Sequence, residues 1–279
     1  MKRIVKYFKR LIKYILYEYK QPIVNVDVYE KSPDIIFQNK VYLITGGSSG
    51  IGFSIAEKLI KNGAIVYITG RNEDKLKISS NKLGDNCHYY VGDISDTSSH
   101  SIMIDKIFSE QNRLDGIINN AGVSYHEWDF MKVDEIKFDE QFYINLKAGY
   151  FLTQVYIKKV IDNNIEYGNV LFISSERGTM CDDLPYGLTK ASIDSLTKAL
   201  SYKYYSKGIR VNAIAPGVTT SEMTNIKKED DLFNNNNSGR FFISDEVAEI
   251  ALFILSDYSK CISGEIIHTN AGNHIKRGY

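Results

Sequence analysis

From residue 40 onward the chain alternates short, continuously apolar, β-branched runs with longer helical stretches, and this alternation constrains the fold more than any other feature. The runs are "KVYLIT", "AIVYIT", "CHYYVG", "DGIIN", "NVLFIS", "IRVNAI" and "GEIIHT". Helical periodicity occupies residues 50–62, 73–83, 97–112, 134–162, 186–206 and 244–256 between them. A strand that is apolar throughout must be covered on both faces, and an intervening helix supplies the crossover that parallel neighbours need. The expected architecture is therefore a doubly wound, Rossmann-type α/β fold, with one parallel sheet between two helical layers. With 43% hydrophobic residues in 279, the chain can close one such domain of roughly 250 residues. We place that domain at 40–279.

Residues 1–39 read differently. In "MKRIVKYFKRLIKYILYEYK" the apolar side chains recur at helical spacing on one arc and the lysines and arginines fall opposite, a basic amphipathic helix. It could lie on an anionic membrane surface or pack on protein, so peripheral membrane contact through residues 1–20 stands beside a packing role. Lysines interrupt every candidate signal-peptide core, and no apolar run is long enough to span a bilayer. Over the whole chain, 34 basic residues balance 34 acidic ones, which gives no electrostatic reason to expect nucleic acid. Cys87, Cys181 and Cys261 are far apart, fit no metal-ligand spacing and point to reduced thiols in a cytoplasmic protein.

The first strand breaks into "TGGSSGIG" at 45–52, and a helix follows. Amides at a helix N-terminus favour a pyrophosphate, so Gly46, Ser48, Ser49, Gly50, Ile51 and Gly52 become candidate cofactor contacts. Gly46 allows the sharp exit, Gly50 a close phosphate approach, and Gly52 close helix–strand packing. Taken alone, the turn could equally be an ordinary loop. After the second strand, Gly70 and Arg71 stand where NAD enzymes of this fold place an acidic residue. An arginine suits a ribose 2′-phosphate, so NADP is favoured over NAD. Tyr186 and Lys190 lie four apart on a helix, so both project from one face. An ammonium beside a phenol lowers its pKa and suits it to protonate an alkoxide. Ser174 and Ser175 end a strand at the crevice edge, where a hydroxyl could polarise a carbonyl or simply close a turn.

Together these stretches resemble the short-chain dehydrogenase/reductase family over residues 40–272. The matching motifs are "TGGSSGIG", "GDISD" at 92–96, "NNAG" at 119–122, "INLKAGYFLTQ" with Asn145, "YGLTK" at 186–190, "APGVTTSEMT" at 215–224 and "SGEIIHTNAG" at 263–272. The resemblance implies Tyr186 as general acid/base and Ser175 as the carbonyl-polarising hydroxyl. It implies that Lys190 holds the nicotinamide ribose and that Asn145 supports a relay water. Asp93 and Ile94 would bracket the adenine. Asn119, Ala121 and Gly122 would line the cofactor cleft, with Pro216, Gly217, Val218 and Ser221 at the nicotinamide end. It also implies a homodimer or homotetramer. Gly187 and Leu188, Thr189, Ser221, Asn270 and Ala271 depart from the family's commoner residues. The interval from Ser175 to Tyr186 is also short, which leaves Ser174 in competition with Ser175.

The implied activity is hydride transfer between a nicotinamide cofactor and a small carbonyl or secondary alcohol, with a 3-oxoacyl thioester the leading substrate and a sugar or polyol the alternative. A nucleotide-sugar epimerase or dehydratase of the extended relatives would need glycine where Ser49 stands and a larger C-terminal domain. A non-catalytic dinucleotide sensor would be expected to lose part of the serine–tyrosine–lysine set, which is complete here. Substrate walls are expected from 124–131, 176–184 and a lid at 218–243. Trp128, Phe130, Met131, Met180 and Leu184 would be apolar, and His126 a solvated loop residue.

Overall fold

The structure is a computed structural model and describes residues 36–234 and 236–275, together with Phe8, Lys9, Leu11 and Ile12. The chain divides into two compact units, Met1–Ser32 and Pro33–Tyr279. In the first, the four described residues are helical. The remainder of the expected amphipathic helix, with its membrane or packing role, lies outside the described residues. Among the described residues no helix is long and apolar enough to cross a membrane.

The second unit is built on a seven-stranded sheet, parallel throughout, in the order β3-β2-β1-β4-β5-β6-β7. The strands are β1 Val41–Thr45, β2 Ile65–Gly70, β3 Cys87–Val91, β4 Gly116–Asn119, β5 Gly168–Ile173, β6 Ile209–Pro216 and β7 Ile266–Thr269. Each of the seven apolar runs is one of them. The helices between are α1 Gly50–Lys61, α2 Glu73–Leu83, α3 His100–Gln111, α4 Glu135–Phe142, α5 Gly149–Asp162, α6 Pro185–Tyr204 and α7 Ser244–Leu255.

Strand alternation divides the core in two. In β1, Tyr42 and Ile44 face a layer that includes Ile55 and Leu59 of α1 and Val247 and Ala251 of α7. Val41 and Leu43 face Met103 and Ile107 of α3 and Leu152 and Tyr156 of α5. Each such side chain taken fully out of water contributes roughly 1.5–3 kcal/mol, so these runs have no stable alternative to burial on both faces. The core reaches upstream of the expected boundary at residue 40. Phe37 is 2% exposed and meets the Tyr42 ring edge-on at 5.9 Å.

The expected helix over 134–162 is two helices joined by a π-turn at Tyr143–Ala148 that contains Asn145. The apolar residues on either side of it are dense enough that the stretch reads as one helix from sequence. The topological switch falls between β1 and β4, where successive connections leave to opposite sides, and the crevice opens there.

Candidate active site

A cleft of about 920 Å³ runs along the carboxyl ends of the strands. At one end lies the glycine turn. Gly46 and Gly50 both have positive φ, +65° and +54°, a conformation that favours glycine. Helix α1 starts at Gly50 with no side-chain cap from Ser49 and no acidic residue in its first turn, so its N-terminal amides face the cleft without an internal anion.

The close packing expected of Gly52 falls to Gly47 instead. Gly47 is the residue packed against strand β2, since a Cβ there would lie 2.8 Å from Ile68 Cβ. Gly52 instead makes room for the next turn. A Cβ on it would fall 2.6 Å from the Gly46 carbonyl oxygen, beside Asn120 Nδ2. That amide donates to the carbonyls of Thr45 and Gly46 at 2.9 and 3.0 Å. Thr45 Oγ1 accepts from the backbone amides of Asn120 and Ala121, both at 3.0 Å. The "TGG" and "NNAG" segments are thus one hydrogen-bonded unit.

Asn119, expected in the cleft, is buried beneath it and donates to Thr153 Oγ1 at 3.0 Å. Alternation along β4 decides this. Asn119 shares the face of Ile117, which points at α5, and Asn120 beyond the strand end turns to the cleft.

Ser48, Ser49, Ile51, Arg71, Asp93, Ile94, Ala121, Gly122, Pro216, Gly217, Val218 and Ser221 all line the cleft. Arg71 is exposed there, and Lys75, which the sequence reading omitted, joins it. Asn72 caps α2 by accepting from the Lys75 amide at 2.9 Å, which sets the helix start and so the side of Lys75. Lys75 Nζ donates to Ser49 Oγ at 3.4 Å and pairs with Glu222 of the lid.

Deeper in the cleft, Ser175, Tyr186 and Lys190 converge. The short interval between Ser175 and Tyr186 causes no ambiguity in the fold. Ser174 Oγ is buried and donates to Asp194 Oδ1 at 2.5 Å, whereas Ser175 lines the cleft with Tyr186, lowers the pKa of its phenol, and accepts from the Arg177 amide at 3.3 Å. Lys190 Nζ donates to the Ile173 carbonyl at 2.7 Å and stands 5.5 Å from the Tyr186 ring centroid. Burial lowers this ammonium to about 8, against an opposing pull from Asp194. The expected lowering of the phenol towards neutrality does not appear. Burial raises Tyr186 above its usual value, and the Ser175 hydroxyl and the Arg177 charge only partly reverse it. The lysine is itself desolvated and turned to a carbonyl, so its field at the phenol is outweighed.

Asn145 ties the loop after β4 to α6. Its Oδ1 accepts from Val123 N at 2.7 Å, and its Nδ2 donates to the Val123 carbonyl at 2.9 Å and to Thr189 Oγ1 at 3.3 Å. Gly122 is the close approach between the two groups: a Cβ there would lie 3.3 Å from Asn145 Oδ1 and 3.8 Å from Lys190 Nζ.

The substrate end is more polar than expected. Trp128, Phe130 and Met131 are 77%, 62% and 84% exposed, Leu184 is buried, and none of the four lines the cleft. His126 does line the cleft, with Nε2 2.9 Å from the Met223 carbonyl of the lid. The lid itself is ordered by backbone bonds such as Phe242 N to Val218 O at 3.0 Å and Thr220 N to Phe242 O at 2.8 Å. Two of its cations pair with the first turn of α7, Lys228 with Asp245 and Arg240 with Glu246.

A family model described as "Enoyl-(Acyl carrier protein) reductase" matches residues 46–274, a span that includes Ser175, Tyr186 and Lys190. The chain belongs to the short-chain dehydrogenase/reductase family. It is 36% identical over 243 residues to the 3-oxoacyl-(acyl-carrier-protein) reductase FabG of Rickettsia typhi, covering 85% of this chain and 98% of that protein. With the same-named protein of Aquifex aeolicus it shares 31% over 248 residues, 86% and 99% of the two chains. Among solved structures, the 3-ketoacyl-(acyl-carrier-protein) reductase of Brucella melitensis complexed with NADH superposes with a TM-score of 0.79 at 26% identity, over 85% of this chain and 99% of that one. A short-chain type dehydrogenase/reductase from Mycobacterium ulcerans gives 0.80 at 27% identity, over 88% and 93%. This short-chain dehydrogenase/reductase is thus an oxidoreductase with a nicotinamide-dinucleotide fold.

Proposed function

We propose that the protein is an NADPH-preferring carbonyl reductase whose substrate is a 3-oxoacyl thioester. The carrying observation is the convergence of Ser175, Tyr186 and, one helical turn on, Lys190 on one cleft that is continuous with the glycine turn and Arg71. The names of the FabG relatives support the substrate class, and the absence of an acid at residue 71 supports a 2′-phosphate.

The residues fit the dinucleotide. The uncapped start of α1 faces the pyrophosphate position, Arg71 and Lys75 supply cations at the ribose end, and Asp93 and Ile94 line the adenine side. When bound, the cofactor supplies the hydride. The chain's own task is to hold the carbonyl and deliver a proton. Ser175 Oγ donates to the carbonyl oxygen and favours the charge that develops there. The Tyr186 phenol, kept protonated by burial, gives its proton to that oxygen as the alkoxide forms. Lys190 would hold the nicotinamide ribose from its place on the cleft wall.

The test is a screen of purified protein with NADPH or NADH against 3-oxoacyl thioesters, sugars and simple ketones. NADPH oxidation with the thioester is expected to be fastest, and Tyr186→Phe to lower it about 100-fold or more. Unchanged turnover in Tyr186→Phe would remove the mechanism, and a sugar preferred over every thioester would replace the substrate.

A further inference from the structure

The turn after β5 carries a cation that the proposed reaction leaves without a part. Arg177 sets its guanidinium carbon 5.7 Å from the centroid of the Tyr186 ring and lines the cleft. It is clamped there. Nε and NH2 both donate to Asp182, at 2.5 and 2.7 Å, in a two-pronged pair. Asp182 also accepts from the amide of Leu184 at 3.0 Å, immediately before α6, and its side chain is only 9% exposed.

The clamp depends on a glycine. A Cβ at position 187 would fall 2.6 Å from the Asp182 Cβ and closer still to its carboxylate. Gly187 is one of the positions where the sequence departs from the family's commoner residues, and its lack of a side chain is what admits Asp182. Gly178 is constrained in the same way, since a Cβ there would lie 3.0 Å from the Lys190 carbonyl carbon. The turn that holds Arg177 therefore lies directly on the backbone of the helix that holds Tyr186.

We propose that Arg177 is a positioning residue for Tyr186: clamped by Asp182 and seated by Gly187, it fixes a permanent positive charge against the phenol and favours its ionised form. The inference rests on Tyr186 as the general acid/base. The groups around the phenol are Ser175 and Arg177 from the turn and Lys190 from its own helix. Behind them stand Asp194, beside Lys190, and Glu176, whose Oε2 accepts from Asn270 and Asn273 at 3.0 Å each. Of the two cations, the buried lysine can lose its proton, but a guanidinium keeps its charge at any working pH. Arg177 thus supplies a charge that Lys190 cannot guarantee.

The experiment is the pH profile of kcat/KM for alcohol oxidation by the full-length enzyme, the direction that needs the phenolate. A charge about 6 Å away, screened by solvent and by Asp182, is expected to move the acid limb by about one pH unit. Arg177→Met should shift that limb upward, with kcat about tenfold lower below it and KM little altered. Arg177→Lys should shift it less. Gly187→Ala should shift it in the same direction as Arg177→Met, because the added methyl displaces Asp182. Phenolate absorbance, taken as the difference between each protein and the same protein carrying Tyr186→Phe, reads the ionisation without turnover. An unmoved limb and unmoved absorbance in Arg177→Met would overturn the proposal, whatever Gly187→Ala does. If Tyr186→Phe itself retained full turnover, the general acid/base reading would fail instead.

Discussion

Lys190 shows what burial does to a single charge. Its folded pKa of about 8 lies below the ordinary 10.5, so between those values the unfolded chain holds a proton that the folded chain releases. Stability then rises with pH across that window and is flat above it. The melting temperature of the parent, measured against Lys190→Met, is expected to gain from pH 8 to 10.5, and a difference that falls would contradict the depressed ammonium. At the other end of the cleft, Arg71→Ala should lower the preference for NADPH over NADH about tenfold, the value of one charge-assisted contact to a phosphate. Ratios of kcat/KM with the two cofactors check it. Residue identities such as Tyr186, Lys190 and Arg71 were legible because their chemistry depends on type and helical spacing. The choice of Asn120 over Asn119 was legible only through strand alternation, and the polar ties of Asn145 were not legible at all.

At the scale of elements, the glycine turn and the loop after β4 form one interlocked unit. Gly52→Ala would push a methyl into Asn120 Nδ2 and the Gly46 carbonyl, and neither can retreat without losing hydrogen bonds at 2.9 and 3.0 Å. The expected cost is about 1–3 kcal/mol in urea unfolding, with dinucleotide binding weakened as the turn opens. A neutral Gly52→Ala would show that the two segments move independently. The π-turn at Tyr143–Ala148 is a second feature of this scale. Apolar periodicity over 134–162 marks one helical stretch, and the irregularity inside it serves to bring Asn145 to Val123 and Thr189. That demand is tertiary and leaves no periodic trace.

Over the whole molecule, the last two strands and α7 are joined by one buried arginine. Arg210 of β6, 2% exposed, donates to the carbonyls of Ile254 and Ser256 at the end of α7 and to those of Ser259 and Ile262 on the way to β7. Arg210→Met would strand these acceptors in the interior, and a loss of about 3 kcal/mol or more is expected in denaturant unfolding. The sequence reading passed over Arg210, because a lone arginine in "IRVNAI" looks like an exposed edge residue. The seven strands, the parallel sheet and the shared helical face of Tyr186 and Lys190 follow from the sequence by itself, because apolar runs buried on both faces and side chains four apart on a helix leave few geometries open. Which serine meets Tyr186, what each glycine makes room for, where Trp128 and Met131 point, and the clamp of Arg177 by Asp182 over Gly187 were decided only in the tertiary structure. These depend on contacts between segments distant in sequence or on the path of irregular turns, where local periodicity carries no information.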